Sequence, residues 1–170
     1  EVLNSGERLG LRELVSSAGL ELGHLDSDSI AYMLGPRLNA AGRLDRAMLS
    51  YELLTTDSPG RCKELVVQLE ATNAERQRLT AQVMTMAREM LSPIAHDVPL
   101  LMVGDRGFPA GVVGVVAGKL SEEFYRPAVV LEVGPEVTRG SARSIPEFNV
   151  VAALSQCDEL LSRFGGHAQA

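Results

Sequence analysis

Apolar side chains recur at helical spacing through the longest patterned stretch of the chain: Cys62, Leu65, Val66, Leu69, Leu79, Val83, Met86, Ala87 and Met90. The spacing predicts one long helix over residues 57–92. Asp57 or Ser58 can cap its start, and Pro59 suits the first turn, where a missing N–H costs nothing. Pro93 ends it. At 1.5 Å per residue such a helix would run roughly 50 Å, longer than a small domain is wide, so it is expected to join two bodies. Asn73 and Arg76 interrupt the stripe where Leu or Val is expected. Either the stripe is wet there as it crosses a gap, or the two side chains hydrogen-bond a neighbouring polar segment and fix the angle between the bodies.

The pattern differs on the two sides of this helix. Before it, Glu1 to Gly19 reads as weakly helical with Leu9, Leu11, Leu14 and Val15 on one face. A polar loop covers 21–28, and Asp28 or Ser29 caps a short helix through Ile30, Met33 and Leu34. Arg46 to Thr55 is a further short helix with Ala47, Leu49, Leu53 and Leu54 inward. After the long helix, Val98–Val103 and Ala128–Val133 are short apolar runs bounded by Pro and Gly, which read as buried strands. A helix over Val112–Tyr125 lies between them, so the unit is βαβ, most simply parallel and right-handed. Gly111, Gly114 and Gly118 recur inside that helix, where each costs about 1 kcal/mol relative to Ala. Close packing against a sheet or a ligand would supply the reason. Gly140–Ile145 is a candidate third strand, and Asn149 caps a last helix over Val150–Phe164, stopped by Gly165-Gly166-His167. The expected fold class is α/β: a helical segment over 1–56, a connecting helix over 57–92, and a small α/β domain with a mostly parallel sheet over 93–170.

The totals narrow the chemistry. Among 170 residues the aromatic share is 4% with no Trp, which argues against a base-stacking platform. The net charge is −6, so any nucleic-acid contact must come from a local Arg cluster. Cys62 and Cys157 both fall in predicted helices and read as buried small hydrophobes in a reducing compartment. No apolar run approaches the roughly 20 residues that span a bilayer. A soluble cytoplasmic protein is expected. The start at Glu1 rather than Met suggests an excised piece of something larger.

Three segments can carry recognition. Gly35-Pro36-Arg37-Leu38-Asn39-Ala40-Ala41-Gly42-Arg43-Leu44 combines a turn dipeptide, two arginines, an Asn and small residues. Arg suits bidentate contact with phosphate or carboxylate. The plainer alternative is a tight turn with Arg37 and Arg43 paired to Asp45 or Glu52. In Gly140-Ser141-Ala142-Arg143-Ser144, a strand would place Ser141 and Arg143 on one face beside a Gly, a hydroxyl and a charged fork suited to a phosphate. Alternatively, Arg143 pairs with Glu132 or Glu147. Gly165-Gly166-His167 is either a flexible turn offering backbone N–H groups and an imidazole to an anion, or a helix cap with a surface His. His24 and His96 stand alone in loops. No Asp/His cluster has metal-ligand spacing, and no P-loop, dinucleotide fingerprint or Gly-x-Ser-x-Gly is present. Nothing assembles a nucleophile, a base and an orienting group.

These segments resemble, in order, elements of the RecJ family of the DHH phosphoesterase superfamily. The decapeptide at 35–44 is similar to its G-P-R-[IL]-N-A-A-G-R segment, and Asn73-Ala74-Glu75-Arg76-Gln77 to its N-x-E-R-[KQ] piece. Gly111–Leu120 resembles a G-V-[IV]-G-[IV]-V-A-[GS]-[RK]-L stretch, and 140–144 and 165–167 resemble its G-S-x-R-S and G-G-H elements. Together they cover most of residues 35–167. The family usually carries an aromatic-His pair before Gly111. Here Phe108-Pro109-Ala110 stands there without the His, so that residue's role has no counterpart.

The resemblance implies part of a 5′→3′ exonuclease specific for single-stranded DNA, acting in repair and recombination. Its Mn or Mg would be held by an Asp/His site in a catalytic domain outside this chain, and no cofactor is expected in the chain itself. The chain would be the end of that domain, the connecting helix and a DHH-associated domain clipped at its C-terminus. It would bind substrate but be inactive alone. By resemblance Ser141, Arg143 and Ser144 hold the 5′ phosphate, while Arg37, Asn39 and Arg43 contact DNA. His167 orients or polarises the scissile phosphate, with Gly165 and Gly166 beside it. Helicase and single-strand-binding-protein partners are implied too. Two rivals remain at this stage: another superfamily phosphodiesterase or phosphatase on short RNA or bisphosphonucleotides, and a non-catalytic nucleic-acid-binding relative.

Overall fold

The structure, a computed structural model, describes residues 2–44, 47–94 and 97–170. They form two compact units, Glu1–Arg78 and Leu79–Ala170, so the division falls inside the long helix. In the first unit, helix α1 (Leu9–Ser17) buries Leu14 and Val15. It ends where Gly19 takes a φ of 71° and Leu20 N–H returns to the Val15 carbonyl. The polar loop after it is held by Asn4, whose Oδ1 accepts from the Gly23 and Leu25 N–H groups and whose Nδ2 donates to Leu25 O. The cap of the next helix is Asp26, not Asp28 or Ser29. Its Oδ1 accepts from Ser29 N at 2.7 Å and Ser29 Oγ at 2.6 Å, and these bonds hold the Asp26 carboxyl below its ordinary pKa.

The expected turn at Gly35-Pro36 is not a turn. Ser29–Leu34 winds as a π-helix and runs directly into α2 (Gly35–Arg43). The wider π turn closes with Gly35 N–H on the Ile30 carbonyl, and a Cβ on Gly35 would lie 2.9 Å from that oxygen. Pro36 therefore sits in the first turn of α2, at the joint between the two helical registers, where its missing N–H is tolerated. Helix α3 (Ala47–Thr55) buries Leu53, and Ser50 Oγ ties it to Leu38 O of α2 at 2.7 Å. Arg46, Asp45 and His96, which figure in the sequence reading, lie outside the described residues.

Helix α4 (Pro59–Leu91) is the predicted long helix. Ser58 Oγ accepts from Arg61 N–H at its start. Cys62, Leu65, Val66 and Leu69 join the first unit's core with Leu14, Leu34, Ala41 and Leu53. Val83, Met84, Ala87 and Leu91 join the second unit's core. The inward stripe thus takes Met84 and Leu91 rather than Met90, which is exposed. Between the two apolar runs the buried positions are polar: Thr72, Asn73 and Thr80. Asn73 is not wet. It is 4% exposed, and its Oδ1 accepts from Arg76 Nη2 at 3.0 Å.

The second unit is a three-stranded sheet in the order β1-β2-β3. Strands β1 (Leu101–Asp105) and β2 (Ala128–Glu132) are parallel, joined by α5 (Ala110–Phe124) as the expected βαβ unit. Strand β3 (Arg139–Arg143) adds antiparallel to β2, so the sheet is mixed. Leu101 and Val103 of β1, Ala128 and Val130 of β2 and the apolar face of α5 form one core around Phe108. Phe108 is fully buried and anchors the loop that leads into α5. Arg88 of α4 grips Glu123 of α5 with both ends of its guanidinium, at 2.8–3.1 Å.

Two expectations near the C-terminus fail. The last helix is α6 (Val150–Ser155), followed by a short 3-10 turn at Asp158–Leu160 and irregular chain. Its cap is as expected, Asn149 Oδ1 accepting from Ala152 N–H at 3.0 Å. Beyond Ser155 the apolar residues have no core to face: Leu160 is 85% exposed and Phe164 36%. A short helix without tertiary packing does not offset the cost of its own nucleation. For the same reason Cys157 is exposed, whereas Cys62 is buried and its thiol is pushed up in pKa chiefly by that burial.

Candidate functional site

The strand geometry sets the first part of the site. In β3, Ser141 lies opposite Val130 and Arg143 opposite Ala128, both core residues of β2, so both side chains lie on the sheet face covered by α5. Gly140 lies opposite Leu131, whose side-chain tip occupies the place a Cβ would take and would have to shift for a larger residue. Arg143 pairs with neither Glu132 nor Glu147; Glu147 instead accepts from the Tyr125 hydroxyl at 2.9 Å. Arg143 Nη1 donates to Ala142 O at 2.7 Å and to Ser141 Oγ at 3.2 Å. Among the described residues it makes no ion pair. Because Ser141 Oγ accepts from Arg143, its own proton is free to be donated. The pair therefore presents a hydroxyl and the remaining guanidinium N–H groups side by side, a donor set suited to a tetrahedral oxyanion.

The G-G-H turn returns to this strand. Ser144 N–H donates to Gln169 O at 3.0 Å, and Val150 N–H to Ala168 O at 2.9 Å. His167 and Ala170 exchange backbone hydrogen bonds that close the turn. Gly166 has a φ of 156°, and the Ala170 carbonyl fills the space where a side chain would start. Gly165 and His167 are exposed, and among the described residues the His167 imidazole has no hydrogen-bond partner. The structure thus docks the stretch directly after Gly165-Gly166-His167 onto the end of Gly140–Ser144. The Ser144 hydroxyl itself is committed to Phe148 O at 2.7 Å, shaping the loop rather than facing outward.

The residues of the decapeptide divide. Arg37 is drawn inward: Nε donates to Glu70 Oε1 and Nη1 to Met33 O, both at 2.8 Å. Glu70 also accepts from Ser17 Oγ at 2.8 Å. Glu52 is not its partner; Glu52 is held by Arg61, which keeps the Glu52 carboxyl below its ordinary pKa. Asn39 and Arg43, four residues apart on α2, are both exposed. Burial, and then the nearby Arg43 guanidinium, lower the pKa of Arg76. Arg43 and Arg76 are therefore close enough to act on one another.

The sequence reading missed Glu70 as the partner of Arg37. The two are 33 positions apart, and only the packing of α2 against α4 reveals the pair. The close packing against the sheet that the sequence offered as a reason for the α5 glycines is seen at Gly114 and Gly118. A Cβ on Gly114 would lie 3.1 Å from Ser141 Oγ and 3.7 Å from Arg143 Nη2, and one on Gly118 would lie 3.9 Å from Arg143 Cγ.

The fold and its anion-suited strand define a known domain class: residues 95–170 match the DHHA1 domain. The whole chain is similar to RecJ proteins. It is 38% identical to the single-stranded-DNA-specific exonuclease RecJ of Bacillus subtilis, over 100% of this chain and 22% of that protein. It also superposes on RecJ of Thermus thermophilus in complex with Mn2+ with a TM-score of 0.86 and 30% identity, over 98% of this chain and 24% of that one. The Mg2+ complex of the same protein gives the same TM-score of 0.86, with 26% of that chain covered. This chain therefore spans about a quarter of the length of these relatives. Among the described residues no three His, Cys, Asp or Glu side chains come together as a metal would need. Also among the described residues, no helix is long and apolar enough to cross a membrane.

Proposed function

We propose that the chain is the substrate-binding part of a RecJ-like, metal-dependent exonuclease that degrades single-stranded DNA from the 5′ end, in DNA repair and recombination. Residues 1–56 belong to the end of its DHH catalytic domain, 57–92 are the connecting helix and 93–170 the DHH-associated domain. Mn2+ or Mg2+ is held outside this chain. Ser141 and Arg143 bind the 5′ phosphate, with Ser144 shaping the following loop. Gly165 and Gly166 give the neighbouring turn its geometry, and His167 orients the scissile phosphate. Asn39 and Arg43 contact the DNA backbone, while Arg37 supports them from its pair with Glu70. The protein works in the cytoplasm, and helicase and single-strand-binding proteins are its partners. One observation carries this reading above the others: a half-buried Arg143 that pairs with no carboxylate among the described residues and is bonded to a serine hydroxyl on the same strand face.

The test is fluorescence anisotropy of short single-stranded oligonucleotides with and without a 5′ phosphate. Low salt is needed, because few cationic contacts are available and each is screened. The purified chain is expected to prefer the phosphorylated end, and Arg143→Ala to lose that preference. Equal binding of both ends by the wild type would overturn the assignment. With Mn2+ added the oligonucleotides are expected to stay intact, and cleavage would contradict a metal site outside this chain.

A further inference from the structure

We propose that Gly114 is a specificity-determining position for the phosphorylated end. Its missing side chain is what lets the Ser141 hydroxyl and the Arg143 guanidinium lie side by side. This rests on Ser141 and Arg143 as the phosphate ligands. Gly114 stands in α5, directly over β3. A Cβ there would sit 3.1 Å from Ser141 Oγ, 3.6 Å from Ser141 Cβ and 3.7 Å from Arg143 Nη2. The first distance is tighter than ordinary van der Waals contact, and the atom that must yield is the hydroxyl itself. The backbone of Ser141 is held by the register of β3 on β2, opposite Val130. The contact has to give by a few tenths of an ångström, and rotation of Ser141 about χ1 is the movement that relieves it most directly. That rotation lengthens the bond from Arg143 Nη1, already 3.2 Å and at the long end of the usual range, and moves the hydroxyl away from the guanidinium. Arg143 would still be tethered to Ala142 O, so the fold survives while the paired donors are lost. Gly118 differs: its added Cβ would meet Arg143 Cγ at 3.9 Å, an ordinary contact.

The experiment compares the affinity ratio for 5′-phosphorylated against 5′-hydroxyl oligonucleotides in the purified chain, with thermal melts to check folding. Gly114→Ala is expected to bring the ratio close to one while leaving binding of the 5′-hydroxyl oligonucleotide within about twofold of wild type. Gly118→Ala adds the same helix propensity without the contact and is expected to keep the ratio. Ser141→Ala removes the atom that Gly114→Ala displaces. In that background the second substitution is expected to change the ratio no further, a coupling that general destabilisation would not produce. If Gly114→Ala alone does not fold, Ser141→Ala is expected to restore folding, and failure to do so overturns the contact. A Gly114→Ala chain that folds and keeps the wild-type ratio, beside an Arg143→Ala chain that loses it, overturns this inference alone. A wild type without preference, or an Arg143→Ala chain that keeps it, removes the phosphate ligands and the role of Gly114 with them.

Discussion

Arginine chemistry in this chain is decided by what each guanidinium finds nearby. Arg37 and Arg143 both sit in motifs that suggest phosphate contact, yet the fold treats them differently. Arg37 is 18% exposed and bonded to Glu70 and Met33 O, so its loss would strand a partly buried carboxylate. Arg37→Ala is expected to lower the unfolding free energy by about 1–3 kcal/mol in a urea titration. Asn39→Ala, on the exposed face of the same helix, is expected to change it by less than about 0.5 kcal/mol. Equal effects would contradict the structural role of Arg37. The sequence showed which residues were unusual but not which way they pointed. Ser141 and Arg143 were legible because a strand alternates with period two. Arg37 was not, because its partner lies on another helix.

At the scale of elements, periodicity was most reliable where burial was continuous. Helix α4, the βαβ unit and the Asn149 cap all follow from local pattern. The α2 segment did not, because Gly-Pro reads as a turn unless the preceding residues widen into a π turn that accommodates the proline. The helix expected to reach Phe164 stops at Ser155, since apolar spacing predicts a face but not what lies opposite it. Helix α4 serves two cores, and its substitutions should separate them. Leu69→Ala and Leu91→Ala each remove a fully buried side chain and are expected to cost about 2–5 kcal/mol. Amide exchange should accelerate around Leu14 and Leu53 in the first variant and around Val103 and Val130 in the second. The reverse pattern would contradict the assignment of the two cores.

At the scale of the whole molecule, a chain with net charge −6 has no general attraction for nucleic acid. Binding of nucleic acid by such a chain has to be local, and the convergence of two distant segments supplies one such place. Residues 140–144 and 165–167 are separated by α6 and an irregular stretch. Two backbone hydrogen bonds, Ser144 to Gln169 and Val150 to Ala168, nonetheless bring the turn back to the end of β3. The sequence placed both segments in one half of the chain; only the structure joins them. The most direct measurement is a 15N-edited NMR titration of the purified chain with a short 5′-phosphorylated single-stranded oligonucleotide. Amide resonances of Ser141–Ser144 and of Gly165–Gln169 are expected to shift together, with one apparent dissociation constant, and the 5′-hydroxyl oligonucleotide to leave both largely unmoved. Shifts confined to one segment, or equal shifts with both oligonucleotides, would contradict a shared site for the 5′ end.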